Sequence, residues 1–452
     1  MSHIINSGLY GDGFSTAEMR EVFADERRLQ RWLEVEVALA KVQAGLGVIP
    51  AEAADEIAAH AHVDGLDLGE IAAEIKRTDH SLVPLLGAVQ RRCRADLGEY
   101  IHYGATTQDI QDTASVLEMR DVLDIVRRDL KAIAATLADL AEAHRETVMA
   151  GRTHGQQAMA TTFGYKVSIW LREVLRHLVR LQQARPRILV VSLFGGVGTM
   201  SALPRGVETM AGVAAELGLD AADVSWHTAR DAVAEHVSLM AMITATLGKI
   251  GNEIYTLAKN EFGELAEAHT DGRLGSSTMP HKRNPETAEQ VALLARLAKY
   301  ASSQAIEAMV VEHDRDARAW RVDWVAIPEV SCFAAAALSA TSSLLNGLEV
   351  NAERMAANLA VKGDFLASEC LMMALGEKLG KQTAHHLVYQ AAMEAHATKS
   401  GLIEVLVERT EVIACGEADR LRELADPRHQ LGAAVELTDA AVARSRVEIE
   451  SL

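Results

Sequence analysis

Several chemically active side chains lie within one short run, GSSTMPHKRNP, at residues 275–285. The glycine and the two prolines set an irregular backbone, in which successive N–H groups can point toward one anion. Ser276 among such donors would have its alkoxide stabilised and could act as a base, while Lys282 and Asn284 could hold negative charge. A solvated loop is the alternative, and the loop chemistry alone leaves both interpretations open.

A second polar run, EYIHYGATTQDIQDTA at residues 99–114, precedes a helix that the sequence predicts over residues 115–148. Thr106, Thr107 and Gln108 stand before that helix and just after a glycine. Hydroxyls and N–H groups at the start of a helix bind carboxylates readily, so this run is a candidate carboxylate site. Ordinary helix capping is the alternative explanation of the same residues.

A third run, GRTHGQQAMATTFG at residues 151–164, places Thr153, His154 and Gln156 in a polar turn between two glycines. A histidine in such a turn can act as a general acid or base near neutral pH. A structural or surface histidine is the alternative.

Two further runs contain candidate cations. KRTDHSLVP at residues 76–84 has His80 beside an aspartate, and EHDRDARAWRVDW at residues 312–324 repeats arginine at helical spacing from Arg315. Both could be solvated surface. No set of His, Cys, Asp and Glu has metal-ligand spacing, and no phosphate-loop or dinucleotide fingerprint occurs. The sequence therefore predicts no metal and no cofactor.

The elements that must position these runs are helices. Three long stretches, at residues 84–186, 204–280 and 328–427, are free of interior proline, which is unfavourable inside helices. Apolar residues recur there every three or four positions, as on one helix face, and no sustained alternation indicates sheet. We predict an all-α fold, with a glycine-rich loop at residues 188–204. The apolar stripes are Val122, Val126, Leu130, Ile133, Leu137 and Leu140; Val167, Leu171, Val174, Leu178 and Leu181; and Leu239, Ile243, Leu247, Ile250, Ile254 and Leu257.

The length of the chain is typical of about three domains. We predict a helical N-terminal domain at residues 1–110, a central long-helix domain at residues 111–365 and a helical C-terminal domain at residues 366–452. Helices of about 30 residues would run roughly 45 Å and could pack within one chain or between subunits. The spacing of the stripes leaves both arrangements open.

Composition limits the class of partner. The net charge of −18 and the pI of about 5.4 disfavour nucleic-acid binding, which needs a basic surface. The four cysteines lie far apart, without a zinc or disulfide pattern. The N-terminal residues lack the features of a signal peptide, and no uninterrupted apolar run reaches about 18 residues. We therefore expect a cytoplasmic protein without a membrane or nucleic-acid partner.

The run GSSTMPHKRNP resembles the signature of the aspartase/fumarase superfamily, and the other runs agree with it in order and spacing over essentially the whole chain. The resemblance implies an all-α, three-domain fold. Its central long helices would form a twenty-helix core in a homotetramer, and each active site would draw on three subunits. The shared chemistry removes a proton next to a carboxylate and eliminates a group from the adjacent carbon, commonly giving fumarate. Fixed donors must stabilise the aci-carboxylate intermediate.

The resemblance also implies a role for each candidate residue. Ser276 would be the base, His154 the acid or the residue that orients it, and His80 would assist leaving-group protonation, as in adenylosuccinate lyases. The threonine run would hold one substrate carboxylate, and the lysine and asparagine of the serine run would hold the other. The predicted substrate-binding residues are Thr106, Thr107, Gln108, Thr153, Gln156, Lys282, Asn284 and Arg315.

The runs GATTQDIQDTA, SSTMPHKRNP and DPRHQLGAA look most like the branch that holds carboxymuconate cycloisomerases and adenylosuccinate lyases. Cycloisomerases of this group usually lack the histidine found at position 154. Adenylosuccinate lyases usually carry Arg-Tyr where this chain has DGFSTAEM.

The histidine at position 154 argues against a cycloisomerase, and the missing Arg-Tyr indicates that the substrate need not carry AMP. We predict a carbon–nitrogen lyase that releases fumarate from an N-substituted aspartate or a related succinyl compound, which makes the substrate a small dicarboxylate. The alternatives are a lactonising carboxymuconate cycloisomerase, adenylosuccinate lyase proper, and a non-catalytic protein similar to the lens proteins of the superfamily.

Overall fold

The computed structural model describes residues 3–268, 275–279 and 281–452, and most of them lie in helices, which confirms the all-α prediction. The α-helices are α1 (Ala17–Val22), α2 (Asp25–Gly45), α3 (Ala51–His60), α4 (Leu68–Thr78), α5 (Val83–Gln90), α6 (Thr107–Ala143), α7 (Phe163–Ile188), α8 (Gly206–Leu217), α9 (Asp231–Leu257), α10 (Glu286–Glu307), α11 (Ala317–Asn346), α12 (Ala352–Ala360), α13 (Ser368–Leu379), α14 (Lys381–Thr398), α15 (Leu402–Val407), α16 (Thr410–Cys415), α17 (Ala418–Leu424) and α18 (Ala434–Ser451). Short 3₁₀ helices cover Ile4–Asn6, Gly11–Gly13, Leu97–Tyr100, Gly363–Ala367 and Pro427–His429. The strands are β1 (Val148–Thr153), β2 (Gln156–Thr162), β3 (Leu265–Glu267) and β4 (Leu348–Val350), paired antiparallel as β1–β2 and β3–β4.

The three predicted apolar stripes lie in α6, α7 and α9. All of their residues are buried within the single chain except Leu140, which is half-buried. The stripes therefore form core inside the chain and do not need a partner subunit to cover them. The predicted loop at residues 188–204 is confirmed for the segment between α7 and α8, where the one pairing described is an isolated bridge from Val190 to Asp220.

Helix α6 begins and ends earlier than predicted. It covers Thr107–Ala143 instead of residues 115–148. The carboxylate of Asp109 accepts the backbone N–H of Thr106 over 3.0 Å. A side chain three residues inside the helix that binds the N-cap backbone N–H is one half of a capping box, so the helix starts within the polar run. Past the end of the helix, Val148 already belongs to β1.

The chain divides into two compact units. The first contains Met1–Asp129, His177–Gly248 and Gln290–Ala340, and the second contains Leu130–Arg176, Lys249–Glu289 and Thr341–Leu452. Each of the five longest helices contributes residues to both units. The three-domain division at residues 110 and 365 stays a prediction.

The run around His154 forms a β-hairpin, whereas the sequence predicted only a polar turn. Thr153 pairs with Gln156, which leaves a two-residue connection of His154 and Gly155. Both have positive φ, 51° and 76°. Two such residues form the turn that matches the twist of a tight hairpin, and Gly at the second position is typical of it. A two-residue connection that ends in glycine was therefore the missed signal.

Helix α11 passes through Pro328, although the spacing of the prolines predicts that this residue limits a helical stretch. Proline inside a helix costs about 3 kcal/mol, because it removes a donor and crowds the preceding turn. Its neighbours Ile327 and Val330 are buried, and their packing offsets this cost. The helix is long and apolar enough to cross a membrane, yet 67% of its most apolar window is buried inside the chain, as in a core helix.

Candidate active site

Two threonines at the start of α6 lie in a cluster with a histidine and an arginine, all within the first unit. Arg315 Nη1 donates to Thr106 Oγ1 over 3.1 Å, and His80 Nε2 lies 3.4 Å from Thr107 Oγ1. We call these four residues the threonine cluster. Arg315 precedes α11 and is not on its face, although its spacing predicted a helical position. The structure thus joins side chains from three of the polar runs.

The hydrogen-bond directions in the threonine cluster leave hydroxyl protons for a ligand. His80 Nδ1 accepts the backbone N–H of Val83 over 3.1 Å, so the ring proton is on Nε2 and donates to Thr107 Oγ1. The Arg315 guanidinium can only donate to Thr106 Oγ1. Each threonine oxygen therefore accepts from a protein donor and keeps its own proton for an anion. The unpaired N–H groups of the first helical turn add partial positive charge there.

A fully buried carboxylate, Asp109, supports the threonine cluster from inside. It accepts the backbone N–H groups of Thr106 (3.0 Å), Phe194 (2.8 Å) and Gly195 (2.9 Å), and also His227 Nε2 (2.8 Å). Gly195 has a φ of 74°, a conformation that glycine adopts without strain. One side chain therefore connects the start of α6 to two separate segments of the first unit.

A second buried carboxylate, Asp112, lies one turn further along α6. Arg230 donates to Asp112 over 2.9 and 3.1 Å and to Asp323 over 2.5 and 3.0 Å, and Trp320 Nε1 donates to Asp112 over 2.9 Å. Burial works against the charge on Arg230, but the carboxylates of Asp112 and Asp323 outweigh it and raise the pKa of Arg230. This network fixes α6 to α11, the helix that Arg315 precedes.

Gln108, predicted to bind substrate, is buried at the start of α6. Its Nε2 donates to Asp112 over 3.0 Å and to the carbonyl of His227 over 3.2 Å. Its Oε1 has no hydrogen-bond partner in the part of the chain that the structure describes. Gln108 therefore stabilises the start of α6 from inside, and its contact with substrate stays a prediction.

The serine loop, defined as residues 275–279 and 281–285, belongs to the second unit. Pro280, which belongs to the run GSSTMPHKRNP, lies outside the described residues. Ser276 Oγ accepts the backbone N–H groups of Thr278 over 3.2 Å and Met279 over 3.0 Å. Two fixed donors at this oxygen stabilise negative charge on it, which is what a serine base requires.

Asn284 and Gly275 close the serine loop. Asn284 Nδ2 donates to the Gly275 carbonyl over 2.6 Å, and a Cβ on Gly275 would collide with the carbonyl oxygen of Lys282. One of the two amide protons of Asn284 is thus used inside the loop, and the contact of Asn284 with substrate stays a prediction. The Lys282 side chain is exposed.

The β1–β2 hairpin supports the third group of predicted residues. Beneath the turn, Arg152 forms an ion pair with the fully buried Glu264 at 2.5 and 3.1 Å and lies over the Phe262 ring, 4.8 Å from its centre. Asn358 Nδ2 also donates to Glu264, over 2.7 Å. The exposed turn residues held above this anchor are Thr153, His154 and Gln156.

The sequence missed the buried residues that hold the threonine cluster in place. A threonine followed three residues later by aspartate is a known helix-start signal, so the link from Thr106 to Asp109 was readable. Nothing in the spacing marks His227 or Arg230, because their carboxylate partners are 118 and 93 or more residues away.

Within residues 3–268, 275–279 and 281–452, no cluster of three or more His, Cys, Asp or Glu side chains could hold a metal ion.

Each of these groups suits a different part of an anionic ligand. The threonine cluster offers hydroxyl protons, helix N–H groups and a guanidinium, which are donors that bind a carboxylate. The serine loop offers a hydroxyl oxygen that accepts two backbone N–H groups and, in the same loop, an exposed lysine, and the hairpin turn offers an exposed imidazole. Taken separately, these are the kinds of group that proton abstraction next to a carboxylate requires.

Two family sequence models match the chain. A model described as lyase matches residues 13–298, and a model described as adenylosuccinate lyase C-terminus matches residues 364–441.

Individual relatives match nearly the whole chain. A protein named N-acetyl-S-(2-succino)cysteine lyase from Dickeya dadantii is 43% identical over 98% of this chain and 97% of its own length. One of the same name from Enterococcus italicus is 41% identical, with the same coverage of 98% and 97%. The solved 3-carboxy-cis,cis-muconate lactonizing enzyme from Pseudomonas putida is 34% identical, with a TM-score of 0.89 over 98% of this chain and 100% of that one.

Proposed function

This chain belongs to the lyase family that its sequence matches, and we propose that it splits a succinyl thioether into fumarate and a thiol. The predicted superfamily, its fold and the lyase class are confirmed. The resemblance to the branch of cycloisomerases and adenylosuccinate lyases is confirmed as well. The observation that supports a sulfur leaving atom is the name of the two relatives at 43% and 41% identity, in which sulfur bears the succinyl group.

The proposed chemistry begins at the serine loop. As the alkoxide that two backbone N–H groups stabilise, Ser276 Oγ takes a proton from the CH₂ group next to one carboxylate and becomes a hydroxyl. The electron pair moves into that carboxylate to give the aci-carboxylate dianion. Lys282 and the second amide proton of Asn284 stabilise this charge. The electron pair then forms the double bond of fumarate as the carbon–sulfur bond breaks, and the sulfur leaves as a thiolate.

The threonine cluster would hold the carboxylate on the carbon that loses sulfur. The hydroxyl protons of Thr106 and Thr107 would donate to this carboxylate, because each hydroxyl oxygen already accepts from Arg315 or His80. Arg315 forms no ion pair with any described residue, so it keeps donors for an acidic ligand. A cysteine-derived leaving group brings a carboxylate of its own, and Arg315 would bind it.

We also propose a cytoplasmic homotetramer whose active sites combine residues of different subunits. Apolar side chains stay exposed in the single chain along four of the long helices, and partner helices would cover them. Examples are Ile169, Val179, Met242, Leu293, Tyr300 and Val325.

A carbon–nitrogen bond, the choice made from the sequence, is the second candidate. Residues 364–441 match the model described as adenylosuccinate lyase C-terminus, and His154 at the hairpin turn could protonate an amine. Nitrogen bases leave poorly without a proton, whereas a thiol with a pKa of about 8.5 leaves as the anion.

The test is a substrate panel with the purified protein. Fumarate is followed by its ultraviolet absorbance and thiol by a colorimetric reagent, with N-acetyl-S-(2-succinyl)cysteine, its N-linked analogue and 3-carboxymuconate as substrates. We expect equal amounts of fumarate and thiol from the thioether. Faster turnover of the N-linked analogue would favour the second candidate, and lactone formation without fumarate would favour a cycloisomerase. Turnover of none of the three would reject the proposal.

A further inference from the structure

We infer that Asp109 and His227 are positioning residues for the carboxylate subsite at the start of α6. The inference rests on the proposed function, in which Thr106 and Thr107 hold a substrate carboxylate. Neither Asp109 nor His227 is placed to touch that carboxylate, since both are buried behind the threonines. Their effect would be exerted through the backbone that presents the two hydroxyls.

The contacts of Asp109 exceed what a helix cap needs. A cap requires one acceptor for one N–H, and Asp109 supplies it to Thr106. Its remaining capacity goes to the N–H groups of Phe194 and Gly195 and to the His227 ring. Burying a carboxylate costs several kcal/mol unless its oxygens are satisfied, and these four donors satisfy both. The result is one rigid junction of three chain segments at the N-cap of α6.

His227 closes this junction from the other side. Its ring donates to Asp109 over 2.8 Å, while its carbonyl accepts from Gln108 Nε2 over 3.2 Å, so its segment is joined to α6 twice. The ring is 3% exposed, and its Nδ1 has no partner among the described residues. An unpaired buried nitrogen is a cost that an apolar side chain of similar size would avoid. Among the described contacts of the His227 ring, the bond to Asp109 is the one that requires a hydrogen-bond donor.

The geometry of the subsite depends on this junction. Arg315 and His80 approach the two threonine hydroxyls from elements other than α6, so the hydroxyl protons face a ligand only while the N-cap keeps its place. Misplacing a binding group by about 1 Å can cost about 100-fold in rate. Loss of the junction should therefore weaken substrate binding by more than any loss of stability explains.

The experiment compares four variants of the full-length enzyme. Asp109→Asn turns an acceptor into a donor that faces backbone N–H groups, and His227→Leu removes the ring donor. His227→Gln keeps a donor at a similar reach and is the rescue variant. The control is Glu118→Gln, a buried carboxylate on the same helix that pairs with Arg28 and touches none of the threonine cluster.

We expect the KM of the thioether and the inhibition constant of fumarate to rise about 10- to 100-fold in Asp109→Asn and His227→Leu, more than kcat falls. His227→Gln should recover most of the affinity. Glu118→Gln should lower the thermal midpoint with KM within about twofold of the wild type.

Three outcomes would overturn the inference. One is a folded His227→Leu enzyme with unchanged KM, which decides the matter even where Asp109→Asn does not fold. The second is a Glu118→Gln enzyme whose KM rises as much as in the junction variants, and the third is no rescue by His227→Gln. A fifth variant, Thr107→Val, separates this inference from the proposed function. If Thr107→Val is impaired and the junction variants are normal, the inference alone is wrong. If the wild type neither converts nor binds any succinyl compound, both the inference and the proposed function are wrong.

Discussion

The threonine cluster and the serine loop are held by opposite means. Buried side chains, among them Asp109 and Asp112, connect the start of α6 to distant segments of the first unit. The serine loop, in its described residues, is closed mainly by contacts within itself, such as the bond from Asn284 to Gly275, and its lysine is exposed. A single chain therefore builds the groups that, in the proposed function, would orient a substrate. The groups that would do the chemistry lie at its surface, where another subunit can reach them.

Because the two regions are held differently, a substitution in one should act differently from a substitution in the other. A change in the serine loop alters few packing contacts, so it should change rate with little effect on folding. A change behind the threonine cluster disturbs buried hydrogen bonds, so it should change both affinity and stability. The following predictions test that separation, beginning with the largest effect.

Replacing Ser276 with alanine should give the largest effect. Removal of a general base typically costs about 10²- to 10⁴-fold, and we expect kcat to fall by about a thousandfold with a near-normal thermal midpoint. Steady-state fumarate release measures the rate. The matched control is Ser277→Ala, the adjacent exposed hydroxyl, which should keep most of the activity. A Ser276→Ala enzyme with near-normal turnover would remove the base assignment.

Replacing Arg315 with glutamine should lower kcat/KM for the thioether by about 10- to 100-fold, because a hydrogen bond to a charged ligand group is lost. The loss should shrink for a succinyl thioether whose leaving group has no carboxylate. Arg318→Gln is the matched control, since Arg318 already pairs with Asp316 and Glu312. Equal losses for thioethers with and without the extra carboxylate would contradict the role given to Arg315.

Replacing His154 with asparagine should separate the two leaving atoms. Asparagine tolerates the positive φ of this position, so the hairpin turn is kept while the imidazole is lost. We expect about a tenfold lower kcat for the N-linked analogue, which needs a proton donor, and a smaller change for the thioether. His313→Asn is the control, because His313 is also exposed with a φ of 56°. A larger loss on the thioether would assign His154 another task.

The sequence predicted the serine loop better than the support of the threonine cluster, because only patterns that are local in the chain can be read from a sequence. Stripes such as Leu239, Ile243 and Leu247 repeat with the helical period, so a local pattern was enough to predict α9. The serine loop was readable because its active side chains are adjacent in the chain. The support of Thr106 depends on His227, 118 residues beyond Asp109, and a contact made by folding leaves no spacing to read. The hairpin was missed because its two short strands carry little periodic signal, and because His154 and Gly155 were interpreted only as part of a polar turn.

The smallest effect concerns a second buried histidine of the first unit, His236 in α9, which contrasts with His227. Neither of its ring nitrogens has a partner among the described residues, and burial lowers its pKa to about 3. In the unfolded chain the His236 imidazole takes up a proton below about pH 6.5, whereas in the folded chain the same imidazole stays neutral down to about pH 3. The folding stability is therefore fully present above pH 6.5 and falls as the pH drops below that value. At pH 5 the loss is about 2 kcal/mol. His236→Leu should remove that part of the acid sensitivity, measured by urea unfolding at pH 7.5 and pH 5 at fixed protein concentration, whereas the exposed control His386→Leu should not. An identical acid loss in both variants would show that His236 is already protonated, or otherwise satisfied, in the assembled protein.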